Sequence, residues 1–260
     1  MGYHVCARDG NALNAAVLGI LTIQGERAVG YLLMERHFTR ELELLKRDML
    51  NTGALALAAI RKAITALTKR DPELAQQVIE ADQPLHAREL RVEEECLKLL
   101  ALYQPVASDL RFVTSVIKIN STIERTGDVA SNIARRVKYL AKRPPLNVDL
   151  DYEGIGKNVV EMLDKALQAF IELSSEKANV VLSMDAEVDD AYRRMNRQLI
   201  EFIKFHPDQV EDALQAMNLC RHLERAADRA TDIAEQVIYI VSGTSVHKPK
   251  DREDSEGRKP

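Results

Sequence analysis

Apolar residues recur along most of this chain at the three- and four-residue spacing that is typical of amphipathic helices. No comparable stretch alternates residue by residue as a half-buried strand would. The spacing and the breaks between periodic segments predict six long helices, at about 38–68, 72–102, 108–140, 152–173, 176–205 and 208–242. Pro84 lies inside the second of these helices, and we expect it to bend that helix. The pattern therefore predicts an all-α protein.

The strongest break in the pattern is the segment Arg143-Pro144-Pro145-Leu146-Asn147. It separates a first half with three helices from a second half with three helices. We expect residues 34–143 and 150–243 to be two tandem antiparallel three-helix bundles, because short connections favour up-and-down packing. Residues 1–33 lack a clear helical pattern and are predicted to be a disordered extension. The charged, proline-containing segment 244–260 is predicted to be a disordered tail.

The two halves also resemble one another in sequence. Residues 123–130 read IERTGDVA, and residues 223–230 read LERAADRA. The similarity continues as NIA over 132–134 and DIA over 232–234. Upstream, the pair Asp82 and His86 aligns with the pair Asp185 and Asp189. Similarity in a fixed order indicates an internal duplication.

Composition narrows the functional classes. The 260 residues carry a formal net charge of −4, which argues against a protein that neutralises nucleic-acid phosphates. The three cysteines are far apart and have no zinc-finger spacing, so a reducing, cytoplasmic location fits them best. The apolar segment 12–23 is too short to span a bilayer. Motifs for nucleotide binding or serine hydrolysis do not occur in the sequence.

Acidic residues, with one asparagine among them, form one row along the third helix of each half. The rows are Glu124, Asp128 and Asn132 in the first half and Glu224, Asp228 and Asp232 in the second, each at the i, i+4, i+8 spacing of one helix face.

Like charges at this spacing destabilise a helix by a few tenths of a kcal/mol, as an order-of-magnitude value. A bound cation or a neighbouring arginine would offset that cost. Oxygen donors favour hard cations such as Mg²⁺, Mn²⁺, Ca²⁺ or iron. Asp82 and His86 could reach the first row, and Asp185 and Asp189 could reach the second. The alternative interpretation is a solvated helix face.

Three segments together resemble the PhoU family of phosphate-signalling regulators. They are MERHFTRELELLKRDML from Met34, LYQPVASDLRFVTSVIKINSTIERTGDVASNIA from Leu102, and LCRHLERAADRATDIAE from Leu219. The resemblance covers about residues 34–243 and includes both repeats in order. Its most specific element is the duplicated Glu-Arg-x-x-Asp followed by Asn/Asp-Ile-Ala.

The resemblance implies two three-helix bundles with metal ions bound at the acidic helix faces. By position, the implied ligands are Glu124, Asp128, Glu224 and Asp228, with Asp82, Asp185 and Asp189 in support. Asn132 stands where the second half has Asp232, so we expect weaker binding in the first half. The metal could be iron, zinc, manganese or magnesium.

The resemblance also implies a cytoplasmic, non-enzymatic negative regulator of phosphate uptake and phosphate-starvation signalling. Its expected partners are the ATPase of the phosphate-specific ABC transporter, the sensor histidine kinase of the phosphate response and a second copy of itself. Association with the membrane is expected only through those partners, and nucleic acid is not expected to bind. Two alternatives stay open from the sequence: a carboxylate di-metal enzyme on a helical bundle, and a helical scaffold without metal.

Overall fold

The structure is a computed structural model that describes the backbone of residues 9–245 and the side chains of residues 34–81 and 84–245. It contains seven α-helices in this range and no strand: α1 (Asp9–Lys69), α2 (Pro72–Glu80), α3 (Asp82–Tyr103), α4 (Ala107–Leu140), α5 (Tyr152–Glu172), α6 (Ser175–Phe205) and α7 (Val210–Ser242). A 3₁₀ turn, Pro207–Gln209, precedes α7. The all-α prediction is confirmed. None of the helices in the described part of the chain combines the length and the apolarity that crossing a bilayer requires.

The chain divides into two compact units, residues 1–44 and 45–260. Helix α1 begins at Asp9, so residues 9–33 are helical where the sequence predicts a disordered extension. No proline interrupts the chain before Pro72, and the segment is rich in alanine and leucine, which favour helix. Residues 1–8 and 246–260 lie outside the described residues, and most of the predicted tail is among the latter. The second unit, which the following paragraphs describe, contains residues 45–143 of the first predicted repeat and all of the second.

The predicted second helix is two helices, α2 and α3, which meet at Ala81. Asp71 caps α2, since its Oδ1 accepts hydrogen bonds from the backbone N–H groups of Glu73 and Leu74 at 3.0 and 2.9 Å. Pro84 falls in the first turn of α3, where its missing N–H leaves no hydrogen bond unmade. The prediction of one bent helix was therefore wrong, because Pro84 begins a helix and does not bend one.

Helices α4 and α7 run antiparallel against each other. Lys118 near the start of α4 lies over the ring of Tyr239 near the end of α7, with Nζ 5.9 Å from the centroid. Arg136 near the end of α4 donates to Gln215 near the start of α7 at 2.9 Å. On its other side α4 packs against α2 and α3, while α7 packs against α5 and α6. The third helices of the two repeats therefore form the centre of this unit.

The two repeats share one core. Ile123 of α4 is 1 % exposed and lines a small gap together with residues of three other helices: Gly53 and Ala56 of α1, Leu163 of α5 and Ile233 of α7. The Leu167 side chain of α5 packs directly onto the backbone of α1 there, since a Cβ on Gly53 would lie 2.7 Å from Leu167 Cδ2. The rings of Phe112 and Phe170 stack at 6.2 Å across α4 and α5. The bundles predicted to lie side by side are thus joined by a continuous apolar interface.

Replacing Ile123 by alanine should destabilise both repeats together. Removing a fully buried isoleucine side chain leaves a cavity and costs about 2–5 kcal/mol of unfolding free energy. Ile200→Ala is the matched control, because Ile200 is 49 % exposed and its truncation should cost under about 1 kcal/mol. Urea denaturation followed by circular dichroism measures both. Separate unfolding transitions for the two repeats in Ile123→Ala would contradict a shared core.

Candidate metal centres

Each acidic row lies at the edge of a groove between two helices of its own repeat. On α4, the neighbours Ile123, Thr126 and Gly127 are buried in the core, which places Glu124 at the margin of the buried face. The Glu124 side chain is 21 % exposed, and Asp128, one turn further on, is exposed. Helix α3 forms the other wall of this groove. In the second repeat α6 and α7 form the corresponding groove.

Three side chains from α3 and α4 converge in the first groove, and we call them the first-repeat cluster: His86, Glu89 and Glu124. His86 Nδ1 lies 3.4 Å from Glu89 Oε2 and 3.5 Å from Glu124 Oε1. One nitrogen or oxygen atom from each residue lies within 4.8 Å of the others. Glu89 was missed from the sequence, although it stands one helical turn after His86, at the i+3 position on the same face.

Electrostatics in this groove favour a positive charge. Burial raises the pKa of Glu124, and the nearby carboxylates of Asp128 and Glu89 raise it further, while His86 lowers it. Asp128 therefore lies close enough to interact with Glu124, as the sequence predicted from their spacing. A cation between these carboxylates would stabilise their ionised forms.

A buried amide lies beside the first-repeat cluster. Asn120 is 1 % exposed and stands one turn before Glu124 on α4. Its Nδ2 donates to the backbone carbonyl of Glu89 at 2.8 Å, which fixes α3 against α4 at this level. Its Oδ1 is buried without a hydrogen-bond partner among the described residues. Such an oxygen is costly to bury unless it has a partner.

The second-repeat cluster consists of four carboxylates: Glu224 and Asp228 of α7 with Asp185 and Asp189 of α6. The pKa of Glu224 is raised to about 7, first by burial and then by the charges of Asp228 and Asp189, and more weakly Asp185, against an opposing effect of Arg221. Asp185 is itself buried, at 8 % exposure. The structure therefore brings together four of the residues that the sequence singled out in this half.

The remaining predicted residues lie at the ends of the rows. Asn132 Oδ1 accepts from Arg135 Nη1 at 3.0 Å, and Asp232 Oδ2 lies 2.8 Å from Arg229 Nη1. Each is therefore engaged by an arginine of its own helix. Asp82 is the first residue of α3, and its side chain lies outside the described residues.

Both clusters suit a divalent cation by their donor chemistry. The first offers an imidazole nitrogen with carboxylate oxygens, and the second offers carboxylate oxygens alone, which are the ligands that such ions take in proteins. In each, burial and like charge make the metal-free state unfavourable for the ionised carboxylates. In the first-repeat cluster the donor atoms also lie within 4.8 Å of one another, so these residues fit a bound metal. The second-repeat cluster fits one by its donor chemistry alone.

Comparison with known proteins gives consistent results over both repeats. A family model described as the PhoU domain matches residues 49–137 and 153–237. A protein of Pseudomonas aeruginosa named phosphate-specific transport system accessory protein PhoU homolog is 37% identical over 216 residues, which are 82% of this chain and 88% of that protein. The accessory protein PhoU of Serratia marcescens is 36% identical over 80% of this chain and 86% of its own.

Solved structures agree with the computed one. A crystal structure of PhoU from Pseudomonas aeruginosa superposes with a TM-score of 0.77 at 36% identity, covering 80% of this chain and 100% of that one. The phosphate transport system regulatory protein PhoU from Streptococcus pneumoniae superposes with a TM-score of 0.74 at 32% identity, covering 81% and 100%. These matches leave about a fifth of this chain without a counterpart.

The raised pKa of Glu224 predicts a pH dependence of stability in metal-free protein. Its carboxyl binds a proton up to a pH of about 7 when folded but only up to about 4.3 when unfolded. Between these values the folded state holds more protons, so this group's contribution to stability falls as pH rises. Glu224→Gln removes that contribution.

The measurement is the unfolding free energy of chelator-treated protein from pH 4.5 to 7.5. As pH rises, the unfolding free energy of Glu224→Gln should increase relative to that of wild type. The pKa of His222 is lowered to about 4, mainly by burial, so its contribution to stability changes with pH in the opposite direction. Subtracting the two curves removes this contribution, because both proteins contain His222. Parallel curves would contradict the assigned environment of Glu224.

Proposed function

The chain belongs to the PhoU domain family, and from this premise we propose that it is a negative regulator of phosphate uptake and phosphate-starvation signalling. Its relatives are named as accessory proteins of phosphate-specific transport. The family is one of regulatory accessory proteins and not of enzymes, which removes the di-metal enzyme considered from the sequence. A role in phosphate transport follows from the family, and the regulatory step is our proposal.

The observation that carries the proposal is the pair of acidic clusters in matching grooves of the two repeats. In both, a glutamate of the third helix has a pKa raised by burial and by neighbouring carboxylates. Such repulsion destabilises the folded chain unless the clusters hold a positive charge. The occurrence of such a cluster in both repeats is better explained by a common requirement for a positive charge than by two unrelated solvated helix faces.

We propose that metal ions supply that charge. Glu124 and Asp128 would hold a metal in the first repeat with His86 and Glu89, and Glu224 and Asp228 would do so in the second with Asp185 and Asp189. A bound ion would neutralise the carboxylates and fix α3 against α4 and α6 against α7. Iron, zinc, manganese and magnesium are the candidates. A helical scaffold without metal is the competing outcome.

Protein partners are the second part of the proposal. Exposed apolar residues flank the junction between the second and third helix of both repeats: Leu102 and Val106 in the first, and Phe205, Val210 and Leu214 in the second. Exposed apolar residues that lie close together on a surface, as at each of these junctions, are typical of protein contacts. The proposed partners are the ATPase of the phosphate ABC transporter, the sensor histidine kinase and a second copy of the chain.

The proposed setting is cytoplasmic, with peripheral membrane association through those partners. The net charge of −4 supports the absence of nucleic-acid binding.

Deleting the gene should relieve repression of phosphate-starvation promoters in phosphate-rich medium. Wild-type protein supplied in trans should restore repression, whereas the double variant Glu224→Gln/Asp228→Asn should restore it only in part, because the second-repeat cluster can no longer attract a cation. A promoter reporter with equal protein levels confirmed by immunoblot measures this. Full repression in the deletion strain would overturn the proposed function.

The matched control is Glu201→Gln on α6, which removes an exposed carboxylate that pairs with Lys204, at 2.7 Å, outside the cluster. It should restore repression fully. Metal analysis of the same purified proteins separates the metal-dependent regulator from the metal-free scaffold. Equal metal content in wild type and the double variant would contradict the second-repeat cluster as a metal site.

A further inference from the structure

We propose that the contact between α4 and α7 carries, on its solvent-exposed side, a binding site for a phosphate oxyanion. Four side chains form this site, and we call them the basic cluster: Arg136, Arg221, His222 and Arg225. The ligand would be inorganic phosphate or a phosphoryl group on a larger molecule, since both present the same tetrahedral oxygens. The inference goes beyond the proposed function, because a regulator of phosphate uptake need not itself bind phosphate.

Both central helices contribute to the basic cluster. Arg136 of α4 donates from Nη1 to Gln215 Oε1 of α7 at 2.9 Å, which holds its guanidinium across the contact. His222 stands two turns after Gln215 on the same face of α7, and Arg221 and Arg225 lie within one turn of it. Side chains of two helices that are distant in sequence therefore meet at one place.

The electrostatic field at this place is positive. The charges that act on His222 are those of Arg136, Arg225 and Arg221. None of these three arginines forms an ion pair within the part of the chain that the structure describes, although the charge of Arg221 also acts on Glu224. Like charges that are held close together repel one another. An anion bound among the arginines would remove that repulsion.

Two buried atoms of the basic cluster lack hydrogen-bond partners. They are Arg136 Nε and His222 Nδ1, and neither has a partner among the described residues. The Nε–H group of arginine can only donate, so it requires an acceptor, and a buried donor without one costs free energy. The oxygens of a phosphate would supply acceptors. Arg221 and Arg225 are exposed, so their long side chains can turn to admit the anion and then close over it.

The chemistry of the guanidinium group selects the kind of anion. It is planar and presents its donors as a fork that matches two oxygens of a phosphate or carboxylate. Three such forks, one from α4 and two from α7, would approach a tetrahedral ion from different directions. A planar carboxylate or a spherical chloride leaves some of these donors unused. The arrangement therefore favours a phosphate oxyanion.

The internal duplication shows that the basic cluster belongs to one end of the α4–α7 contact. Three of its members are replaced by uncharged residues at the equivalent places, 100 residues away: Gln236 for Arg136, Ser121 for Arg221 and Thr122 for His222. Only Arg225 has a basic counterpart, which is Arg125. The equivalent place at the other end of the contact therefore serves as a comparison within the same molecule.

The test titrates full-length, chelator-treated protein with sodium phosphate at constant ionic strength. NMR of ¹⁵N-labelled arginine follows the side-chain Nε–H resonances. Phosphate should shift the resonance of Arg136 in a saturable manner in wild type, and that resonance is identified by its absence from the spectrum of Arg136→Gln. Sulfate, which is also tetrahedral, should compete with phosphate, whereas chloride should not produce the shift.

Three variants make the assignment specific. Arg225→Gln should weaken phosphate binding by about tenfold or more, which is the effect of losing a hydrogen bond to a charged group. The matched control is Arg125→Gln, which removes the same charge from the equivalent exposed position and should leave the affinity unchanged. Binding should persist in Glu224→Gln/Asp228→Asn, because the anion does not bind through the second-repeat cluster. Circular dichroism confirms that each variant folds.

A parallel titration with glycerol phosphate distinguishes the two sources of the ligand. Binding at least as tight as that of inorganic phosphate would support a site for a phosphoryl group on a larger molecule. Weaker binding would support inorganic phosphate itself.

Two results would overturn the inference. An equal shift with chloride, or equal losses in Arg225→Gln and Arg125→Gln, would show general charge screening and no site. Loss of phosphate binding in Glu224→Gln/Asp228→Asn would assign the anion to the second-repeat cluster. Either result leaves the regulatory proposal intact, because the promoter reporter tests that proposal separately.

Discussion

Helices α4 and α7 pack antiparallel against each other, and the remainder of the described second unit is arranged around this contact. Each of the two helices uses one face for the shared core and one edge for an outer groove. Ile123 and Glu124 illustrate the division: the isoleucine is in the core between the repeats, and the glutamate beside it faces α3. The position of the first-repeat cluster is thus set by the same packing that joins the repeats, since α4 cannot rotate without exposing Ile123.

This arrangement accounts for the unfavourable electrostatics of the clusters. The grooves are deep enough to desolvate Glu124 and Glu224, and burial is the largest cause of the raised pKa of both. Arginines elsewhere on the same helices neutralise the outer acidic residues, as Arg229 does for Asp232. The inner carboxylates remain next to like charges.

Duplication followed by divergence explains why the two halves are alike in fold and unlike in chemistry. Packing demands apolar residues at the same helical positions in both copies, so Ile123 and Leu223 are both fully buried. The residues that line the grooves do not have to be apolar. His86 can therefore stand where Asp189 stands without any change in the helices that carry them, and the groove residues can diverge while the backbone framework is retained.

Most of the helical architecture could be predicted from the sequence. Helix spacing, the break at Pro144-Pro145 and the repeated Glu-Arg-x-x-Asp are local patterns, and local patterns determine which residues share a helix face. The alignment of Glu124 with Asp128, and of Glu224 with Asp228, follows from 3.6 residues per turn alone. A proline can either bend a helix or stand in the first turn of one. At Pro84 the sequence predicted a bend, whereas in the structure a new helix begins there.

Only the tertiary structure decided which side chains meet across a groove. Glu89 joins His86 and Glu124 because α3 lies against α4 in one register, and that register depends on the burial of many side chains at once. The orphaned oxygen of Asn120 and the core shared by α1, α4, α5 and α7 are likewise long-range features. Periodicity reports how each helix is patterned, whereas the depth and partner of a site arise from how helices distant in sequence pack together.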